Sequence, residues 1–559
     1  MTKQFLLPVL LCFGLYSFSP AQTPSKGIIT GRVVSDEGVP LAGMTIRLSS
    51  PNATALGQLR STSTDDEGKF RFNDLPPRPY SIEVLAGRAF IPAPKSAAER
   101  TQPFIVRVGE TVTVTMIRGG VITGRVTNAN GETLIAMPMA AKMVRDADGN
   151  PISSPPRMTQ TGTDDRGIYR FYGLAPGTYI VLANYGNPYF GSQASLYDNE
   201  AATYYPSSTR DTAAEIQVTS GGEATGIDIR YRAERGHALS GKVTGAKESV
   251  SVQLLHVASE SLLTTALASK ATGSFDFYGL PDGDYELFVQ TADDTPMASA
   301  PRRVSVRGAD LTGIELRLSP LASIAGTIVV EPSANACDKP GRSLLEEMLV
   351  TSRPDVKPRQ ETDPVTRPNA LQASISGKGE FELRGLHAVR YWLGVSLPNE
   401  TLFVKTIVQK TQATNLARTG AVLKSGDKLT GVTVTVAEGA ASLRGKVSAQ
   451  EGSRLPPRLR VHLIPAESTA AEDLLRYVEI LAGSDGSFAF TNLAPGKYWV
   501  LAKAVAENEP ADQLPPAVAW NPAERLKLRK EAEAAKHEVE LKACQRVADQ
   551  ILKVSFPTK

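Results

Sequence analysis

The stretch Asp485–Tyr498, which reads DGSFAFTNLAPGKY, occurs in five variants along the 559-residue chain. The other four copies begin at Asp66, Asp165, Gly273 and Gly379. In each copy a Gly precedes alternating apolar and polar residues, and a Leu and a Tyr follow. Alternation with period two predicts a half-buried strand, and the Gly and Pro residues predict turns. Repetition of this kind predicts a string of similar modules.

A second repeated feature opens each module. Glycines that are 85 to 119 positions apart precede a short polar and β-branched run, at Gly31, Gly124, Gly241, Gly326 and Gly445. Modules of about 100 residues with frequent turn signals are typical of β-sandwiches. A turn beginning at Gly109, Gly222, Gly308 or Gly426 precedes a closing strand, which we expect at the edge of a sheet.

We therefore predict a leader and five β-sandwich modules. The boundaries are 1–21 for a signal peptide, 27–118 for module 1, 119–233 for module 2 with an aromatic insert, 236–319 for module 3, 321–437 for module 4 with a Pro- and charge-rich loop, and 439–559 for module 5 with a C-terminal helical extension. Asn521 before Pro522 predicts the start of that helix, since Asn caps helices and Pro suits the first helical position. Short joints predict a semi-rigid chain of beads.

The N-terminus has the pattern of a secretory signal peptide. Lys3 precedes an apolar run over residues 5–18, and small residues follow it up to Ala21, where we predict cleavage. The predicted location is therefore extracytoplasmic, in the periplasm or at the cell surface. Cys337 and Cys544 then remain as the two cysteines of the mature chain. An oxidising compartment would allow them to form a disulfide, or they stay unpaired in their different modules.

The combined pattern of opening Gly, Asp-x-x-Gly turn and Phe-x-Phe strand resembles carboxypeptidase regulatory-like domains. These are similar to the transthyretin-like accessory domain of metallocarboxypeptidases and to Cna B-type repeats. The resemblance extends over most of residues 27–507. It implies an all-β fold of tandem seven-stranded prealbumin-like sandwiches, grouped with carbohydrate-binding-like folds, with one short C-terminal helix. Such arrays are typical of secreted or surface proteins of bacteria.

The resemblance raises zinc carboxypeptidase activity as a remote alternative. His537 and Glu540 have His-x-x-Glu spacing, but no His follows them as a further ligand. Asp146–Asn150 has three oxygen-ligand positions of a calcium loop, yet Pro151 and Arg157 stand where that loop needs Gly and Glu, so a turn is the favoured interpretation. We predict a protein that is not an enzyme, with no catalytic residue, metal site or cofactor.

Module 2 carries the sequence's candidate ligand site. Aromatic residues are concentrated in its insert, at Tyr185, Tyr189, Phe190, Tyr197, Tyr204 and Tyr205. Exposed loop aromatics bind flat sugar faces or peptides, whereas an insert folded onto its own sandwich would bury them. The tyrosines of the repeated stretch, such as Tyr80 and Tyr498, are instead predicted in the core, with a tyrosine-corner-like role.

The predicted function is that of a secreted, non-enzymatic binding module at the cell surface, with carbohydrate as the candidate ligand. The alternative is a structural stalk or accessory module for another envelope protein. The formal net charge of +3 and the lack of a dense basic stripe argue against nucleic acid as a partner. The expected partner is a glycan or an envelope protein. We expect a monomer with no membrane span in the mature chain.

Overall fold

The computed structural model describes most of the chain from residue 27 onward. The described residues are 27–50, 59–85, 89–93, 105–150, 152, 159–185, 197, 199–258, 261–331, 337, 345–356, 363–364, 368, 370–450, 454–505 and 517–555. They form ten sheets, two for each module, and the described part of the chain contains only two α-helices. The predicted all-β fold class is confirmed. The modules have seven to nine strands rather than seven each.

Modules 1 and 2 each have two facing sheets. The strands of module 1 are β1 (Gly27–Ser35), β2 (Thr45–Ser49), β3 (Arg60–Ser63), β4 (Lys69–Leu75), β5 (Tyr80–Leu85), β6 (Phe90–Pro92), β7 (Ile105–Val106) and β8 (Thr111–Arg118). Those of module 2 are β9 (Gly120–Thr127), β10 (Pro138–Arg145), β11 (Thr159–Gly162), β12 (Ile168–Leu174), β13 (Gly177–Ala183), β14 (Thr203–Tyr204), β15 (Ile216–Val218), β16 (Glu223–Ala224) and β17 (Ile229–Arg230).

Modules 3 and 4 repeat this plan. The strands of module 3 are β18 (His237–Thr244), β19 (Val250–His256), β20 (Ser261–Ala268), β21 (Ser274–Leu280), β22 (Gly283–Val289), β23 (Met297–Ser299), β24 (Arg302–Val306) and β25 (Leu311–Pro320). Module 4 consists of β26 (Ala322–Glu331), β27 (Leu349–Pro354), β28 (Leu371–Ser374), β29 (Glu380–Leu386), β30 (Arg390–Ser396), β31 (Leu402–Gln409), β32 (Thr414–Asn415), helix α1 (Leu416–Thr419), β33 (Ala421–Val422) and β34 (Lys428–Glu438).

Module 5 contains the longer helix. Its elements are β35 (Ala441–Ala449), β36 (Leu459–Pro465), β37 (Val478–Leu481), β38 (Ser487–Leu493), β39 (Gly496–Ala504), helix α2 (Pro522–Ala535), β40 (Glu538–Leu541) and β41 (Arg546–Val554). The Asn521 side chain accepts hydrogen bonds from the N–H groups of Ala523 and Glu524, so the predicted cap is confirmed. The helix is not a terminal extension, however, because β40 and β41 follow it and complete the two sheets.

The opening strand occupies the same place in every module. It pairs antiparallel with the strand of the repeated stretch and parallel with the closing strand, as β1 does with β4 and β8. The closing strand is not at the edge in modules 1, 3 and 4, since β6, β23 and β31 pair with its other side. The predicted edge position is therefore wrong in these modules. The sequence does not distinguish the two positions, because a strand with one neighbour and a strand with two neighbours show the same alternation of apolar and polar residues.

The repeated stretch supplies core and turn residues. In module 5, Phe488, Phe490 and Leu493 are buried in one cluster with Tyr498. The Tyr498 hydroxyl donates to the carbonyl of Ala494, and Tyr80, Tyr179 and Tyr285 make the same contact four residues back along the chain. The Asp carboxylates form the turns: Asp65 accepts from the N–H groups of Glu67 and Lys69.

Consecutive modules are joined through very short links. One residue separates β8 from β9 and β25 from β26, and two separate β34 from β35. The predicted chain of beads would place contacts only between consecutive modules, but the structure also has contacts between modules 1 and 4. The Arg107 guanidinium of module 1 donates to the Glu347 carbonyl at 3.3 Å and to the Ser396 hydroxyl at 3.2 Å, both in module 4. Module 1 therefore contacts a module that is not its neighbour in the sequence.

Candidate functional site

The structure buries two of the predicted ligand-binding tyrosines. The side chains of Tyr185 and Tyr204 are 5% and 7% exposed and form a cluster with Ala140, Ile180 and Leu182. This cluster lies on the outer face of the sheet formed by β10 and β13, because the inner faces of those strands belong to the main core. The expectation of exposed aromatic rings fails for these two residues. The rings of Tyr185 and Tyr204 cover the outer face of this sheet, so their surface is not exposed to a ligand.

The other described tyrosines of the insert also pack inward. Tyr197 and Tyr205 are half-buried against the core of module 2, and the Tyr197 ring lies edge-on to Tyr231 with 6.0 Å between centroids. The Asn184 amide donates to the carbonyls of Tyr197 and Glu200 and so ties the insert to the end of β13. Tyr189 and Phe190 lie outside the described residues. The described part of the insert thus covers its own sandwich.

A buried lysine lies under this insert, and the sequence reasoning missed it. Lys142 on β10 is opposite Ile180 of β13 and is only 7% exposed. Alternation along β10 places it on the outer face with Ala140. Burial, with a smaller contribution from the positive charge of Arg210, lowers the pKa of Lys142 to about 7. The sequence signal was a single Lys inside the apolar run of residues 137–144.

The two cysteines join module 4 to module 5. Cys337 and Cys544 form a disulfide with 5.3 Å between their Cα atoms, across a sequence separation of 207 residues. Cys337 follows β26, and Cys544 lies in the turn between β40 and β41. Of the two outcomes that the sequence left open, the structure has the paired one. A covalent bond therefore fixes the last module against the one before it.

A tryptophan pair reinforces the same junction. Trp392 of β30 stacks on Trp520, which precedes α2, with 5.2 Å between ring centroids and an interplanar angle of 17°. The Arg353 guanidinium lies 4.7 Å from the Trp520 ring centroid, on a second side of the pair. Stacked rings and a cation over an aromatic face each stabilise such a contact. The insertion of α2 into module 5 is what brings Trp520 to this position.

Polar contacts complete the junction. The Asn492 amide, within the repeated stretch, donates to the carbonyls of Asn399 and Leu402 at 2.6 and 2.7 Å. The Glu472 carboxylate of module 5 pairs with Arg525 at 2.6 Å and lies 3.8 Å from Arg418 of α1. Apolar, ionic and covalent contacts thus all hold modules 4 and 5 in one relative orientation.

An open cleft of about 960 Å³ lies where module 1 meets module 4. Glu380 and Glu382 of β29 line it together with Lys410, and Arg78 of module 1 forms part of its wall. The Glu346 carboxylate and several hydroxyl groups add to its polar lining, the hydroxyls from Thr327, Ser374, Ser376, Thr430 and Thr433. The cleft therefore offers donors and acceptors of both charge signs on a floor of rigid strands.

The residues weighed for metal chemistry lie in ordinary structural positions. Asp146 accepts hydrogen bonds from the N–H groups of Asp148 and Asn150, which is a turn. The carbonyl of His537 accepts from the Val500 N–H beside β40. Among the residues that the structure describes, no three His, Cys, Asp or Glu side chains are grouped so as to hold a metal ion. In that same portion of the chain, every helix is too short or too polar to cross a bilayer.

Residues 28–117 match the family model of the carboxypeptidase regulatory-like domain. The predicted family is thereby confirmed for module 1. The match covers module 1, whose opening glycine and aromatic strand recur in the other four modules with the same strand pairing. The strand reads Phe-x-Phe in modules 3 and 5, Tyr-x-Phe in module 2 and Phe-x-Leu in module 4. A search of curated proteins finds no match.

The solved structures that match this chain include pilins. The chain is 15% identical to the minor pilin GBS52 of Streptococcus agalactiae, over 37% of this chain and 96% of that one, with a TM-score of 0.19. It is 13% identical to the shaft pilin SpaA of Lactobacillus rhamnosus GG, over 38% and 99%, with a TM-score of 0.17. It is 13% identical to the Bacillus anthracis TIE protein, over 52% of this chain and 51% of that one, with a TM-score of 0.15. The chain therefore spans about half of that protein. These likenesses concern the fold alone.

Proposed function

We propose that the chain is a non-enzymatic structural module of the bacterial cell envelope, which holds a partner protein at a fixed position. The inter-module disulfide carries this proposal. Disulfides persist in oxidising compartments outside the cytoplasm, which agrees with the predicted signal peptide. A bond between modules, rather than within one, adds little to either core. Its effect is to fix one module against the next.

The remaining contacts support a role that depends on fixed geometry. Three of the four links between modules are one or two residues long and leave little freedom. The Trp392–Trp520 stack and the Arg107 contacts act across module boundaries. In the described part of the insert, the aromatic residues pack against the sandwich of module 2. A chain with these features suits the alternative of a stalk or accessory module better than that of an aromatic sugar-binding platform.

A pull-down tests the function itself. The chain from residue 22 onward, kept oxidised and immobilised, is exposed to the envelope fraction of the source bacterium. We expect it to retain an envelope protein, and added mono- and oligosaccharides should not release that protein. Retention of polysaccharide alone, or release of the captured protein by sugars, would contradict a structural role.

Removal of the disulfide is expected to loosen module 5 while leaving each sandwich folded. In a Cys337→Ser/Cys544→Ser variant, the junction should separate at lower urea concentration, by a free-energy change of about 2–4 kcal/mol. Tryptophan fluorescence can follow this step, since two of the three tryptophans form the stack. Hydrogen exchange of the core strands is the control and should not change. Identical fluorescence transitions for both proteins would show that the bond does not hold the junction.

The cleft between modules 1 and 4 favours carbohydrate binding as a second candidate function. Its lining of hydroxyl, carboxylate, ammonium and guanidinium groups matches the donors and acceptors of a polyhydroxylated ligand. The carboxylates of Glu380 and Glu382 and most of the hydroxyl groups stand on strands, so their positions are set before a ligand arrives. Fixed polar groups of this kind give specificity in small-molecule sites. The described lining contains one aromatic residue, Phe381, whose ring is buried and offers no platform for a sugar, which makes this the weaker of the two functions.

A glycan array with matched variants tests the second candidate. If the cleft binds glycans, Glu382→Ala should lower affinity about tenfold, since hydrogen bonds to charged groups contribute about 1.5–3 kcal/mol each. The control is Asp276→Ala, because Asp276 holds the equivalent position on β21 of module 3. Binding that is lost equally in both variants, or no glycan binding by the native chain, would exclude the cleft.

A further inference from the structure

Lys142 lies in an apolar setting on the outer face of module 2. On β10 it stands between Ala140 and Val144, and both of these residues pack in the cluster that the insert covers. Its partner across the sheet is Ile180 of β13. Among the residues that the structure describes, the charge that acts on Lys142 is a second cation, Arg210, and no carboxylate forms an ion pair with the lysine. A lysine this deeply buried is almost always paired.

The chain after β14 brings Arg210 to this lysine. Arg210 begins a single 3-10 turn, Arg210–Thr212, between β14 and β15. The next residue, Ala213, packs against the same apolar cluster and so fixes the turn over the sheet. The Glu215 carboxylate, further along the same segment, pairs with Arg145 at 3.7 Å instead. Two cations are thus held near each other, and the described residues place no anion between them.

These surroundings favour the neutral form of the lysine amine. Burial is the larger cause and the positive charge of Arg210 is the smaller one, and they lower the pKa of Lys142 to about 7. About half of the amine is therefore unprotonated at pH 7, against less than about a thousandth for a lysine of ordinary pKa. Desolvation and a neighbouring cation are the two means by which lysines become nucleophiles. The covering of tyrosine and aliphatic side chains limits the reactant to a small molecule.

We propose that Lys142 is a modification site at which its amine reacts reversibly with carbon dioxide to form a carbamate. The unprotonated Nζ attacks the carbon of CO₂, one C=O π bond opens and leaves its electron pair on oxygen, and Nζ releases a proton to water. The product is Nζ–COO⁻, and nothing is oxidised or reduced. CO₂ is small and uncharged, so it crosses an apolar layer without the desolvation cost that bicarbonate would meet.

The adduct reverses the charge relation between Lys142 and Arg210. The ammonium repels the guanidinium, whereas a carbamate attracts it and supplies the anion that the described surroundings do not provide. Arginine binds carboxylate groups through two parallel hydrogen bonds. The carbamate would therefore hold the turn Arg210–Thr212 against the sheet and tighten the attachment of the insert. The site concerns module 2 alone and does not depend on the role proposed for the whole array.

Carbon NMR of the chain from residue 22 onward tests the site at about pH 7.5, in CO₂-free buffer and after addition of isotope-labelled bicarbonate. We expect a carbamate resonance in the labelled sample only. Trapping of the carbamate by alkylation, followed by peptide mass spectrometry, should assign the adduct to Lys142. The same mapping distinguishes it from an adduct on the α-amino group, which also titrates near neutral pH.

Three variants distinguish this site from general lysine chemistry. Lys142→Arg should lose the adduct, since its guanidinium stays protonated. Arg210→Gln should lower the occupancy about tenfold, because it removes the positive charge that attracts the carbamate. Lys69→Arg, at an exposed position on β4, is the matched control and should keep the full signal. Added CO₂ should also slow hydrogen exchange of the turn Arg210–Thr212 in the native chain but not in Lys142→Arg.

Any of three results would overturn the proposal. One is a native chain that carries no adduct on Lys142 in the labelled buffer. Another is equal occupancy in the native chain and in Arg210→Gln, since the neighbouring cation would then play no part. The third is an adduct on the exposed Lys69 at the same occupancy as on Lys142, since burial would then confer no reactivity. Hydrogen exchange of β10 and β13 verifies that each variant keeps module 2 folded.

Discussion

Replacing Gly241 with Val is expected to destabilise module 3 by about 3 kcal/mol, at the upper end of the usual cost of overpacking. A Cβ atom at Gly241 would lie 2.2 Å from the Ile314 carbonyl oxygen and 2.6 Å from the Phe275 ring. The first of these neighbours is backbone of the parallel partner β25, which cannot move without breaking the sheet. Hydrogen exchange of β18 and β25 in the full chain measures the effect.

The neighbouring residue gives the control for this prediction. Lys242 is exposed on the same strand, so Lys242→Val should leave the exchange rates of β18 and β25 nearly unchanged. The same conflict exists in the other modules, where a Cβ at Gly31, Gly124, Gly326 or Gly445 would lie 2.0 to 2.5 Å from a carbonyl oxygen of the closing strand. Equal stability of Gly241→Val and Lys242→Val would show that the strands can separate to admit a side chain.

Replacing Lys142 with Met is expected to stabilise module 2 at neutral pH by about 3 kcal/mol. Burial lowers the pKa of this ammonium in the folded chain to about 7 from its ordinary value of 10.5. Between these two pH values the unfolded chain binds the proton more tightly than the folded chain. Native stability is therefore fully present above pH 10.5, falls as the pH is lowered towards 7, and stays low below that. Met fills the same space without a charge.

Measurements at several pH values distinguish the cost of burying the Lys142 charge from a change in side-chain packing, since only the charge depends on pH. The stability difference between Lys142→Met and the native chain should shrink as the pH rises from 7 and should nearly vanish above 10.5. Chemical unfolding at each pH, with hydrogen exchange to assign module 2, provides the measurement. Lys69→Met, at an exposed position on β4, should show no such trend. A loss of stability at pH 7 in Lys142→Met would show instead that the ammonium is held by an attractive partner.

The repeated stretch could be interpreted correctly from the sequence because its physics is local. Alternation with period two places Phe488 and Phe490 on one face, and the Asp and Gly residues form turns within a few positions of themselves. The cap at Asn521 is equally local and was predicted correctly. The role of Tyr498 also follows, since its hydroxyl bonds a carbonyl only four residues away. Five copies of one pattern made the fold class secure.

The candidate site could not be predicted in the same way. Whether Tyr185 and Tyr204 face solvent depends on whether the insert returns to its own sheet, which it does through β14 and the Asn184 contacts. The burial of Lys142 depends on the same return of the insert to its own sheet. Aromatic composition gives no information about that choice, because an exposed platform and a covering layer use the same residues.

The sequence by itself determined the strands, the turns, the repeated sandwich and the start of α2, since each depends on residues close together in the chain. Tertiary structure decided the pairing of Cys337 with Cys544, the position of α2 inside module 5 and the contact of Arg107 with module 4. Each of these depends on surfaces that are far apart in the sequence. A repeating pattern describes every module alike, so it cannot specify which modules meet or which of them contains a helix.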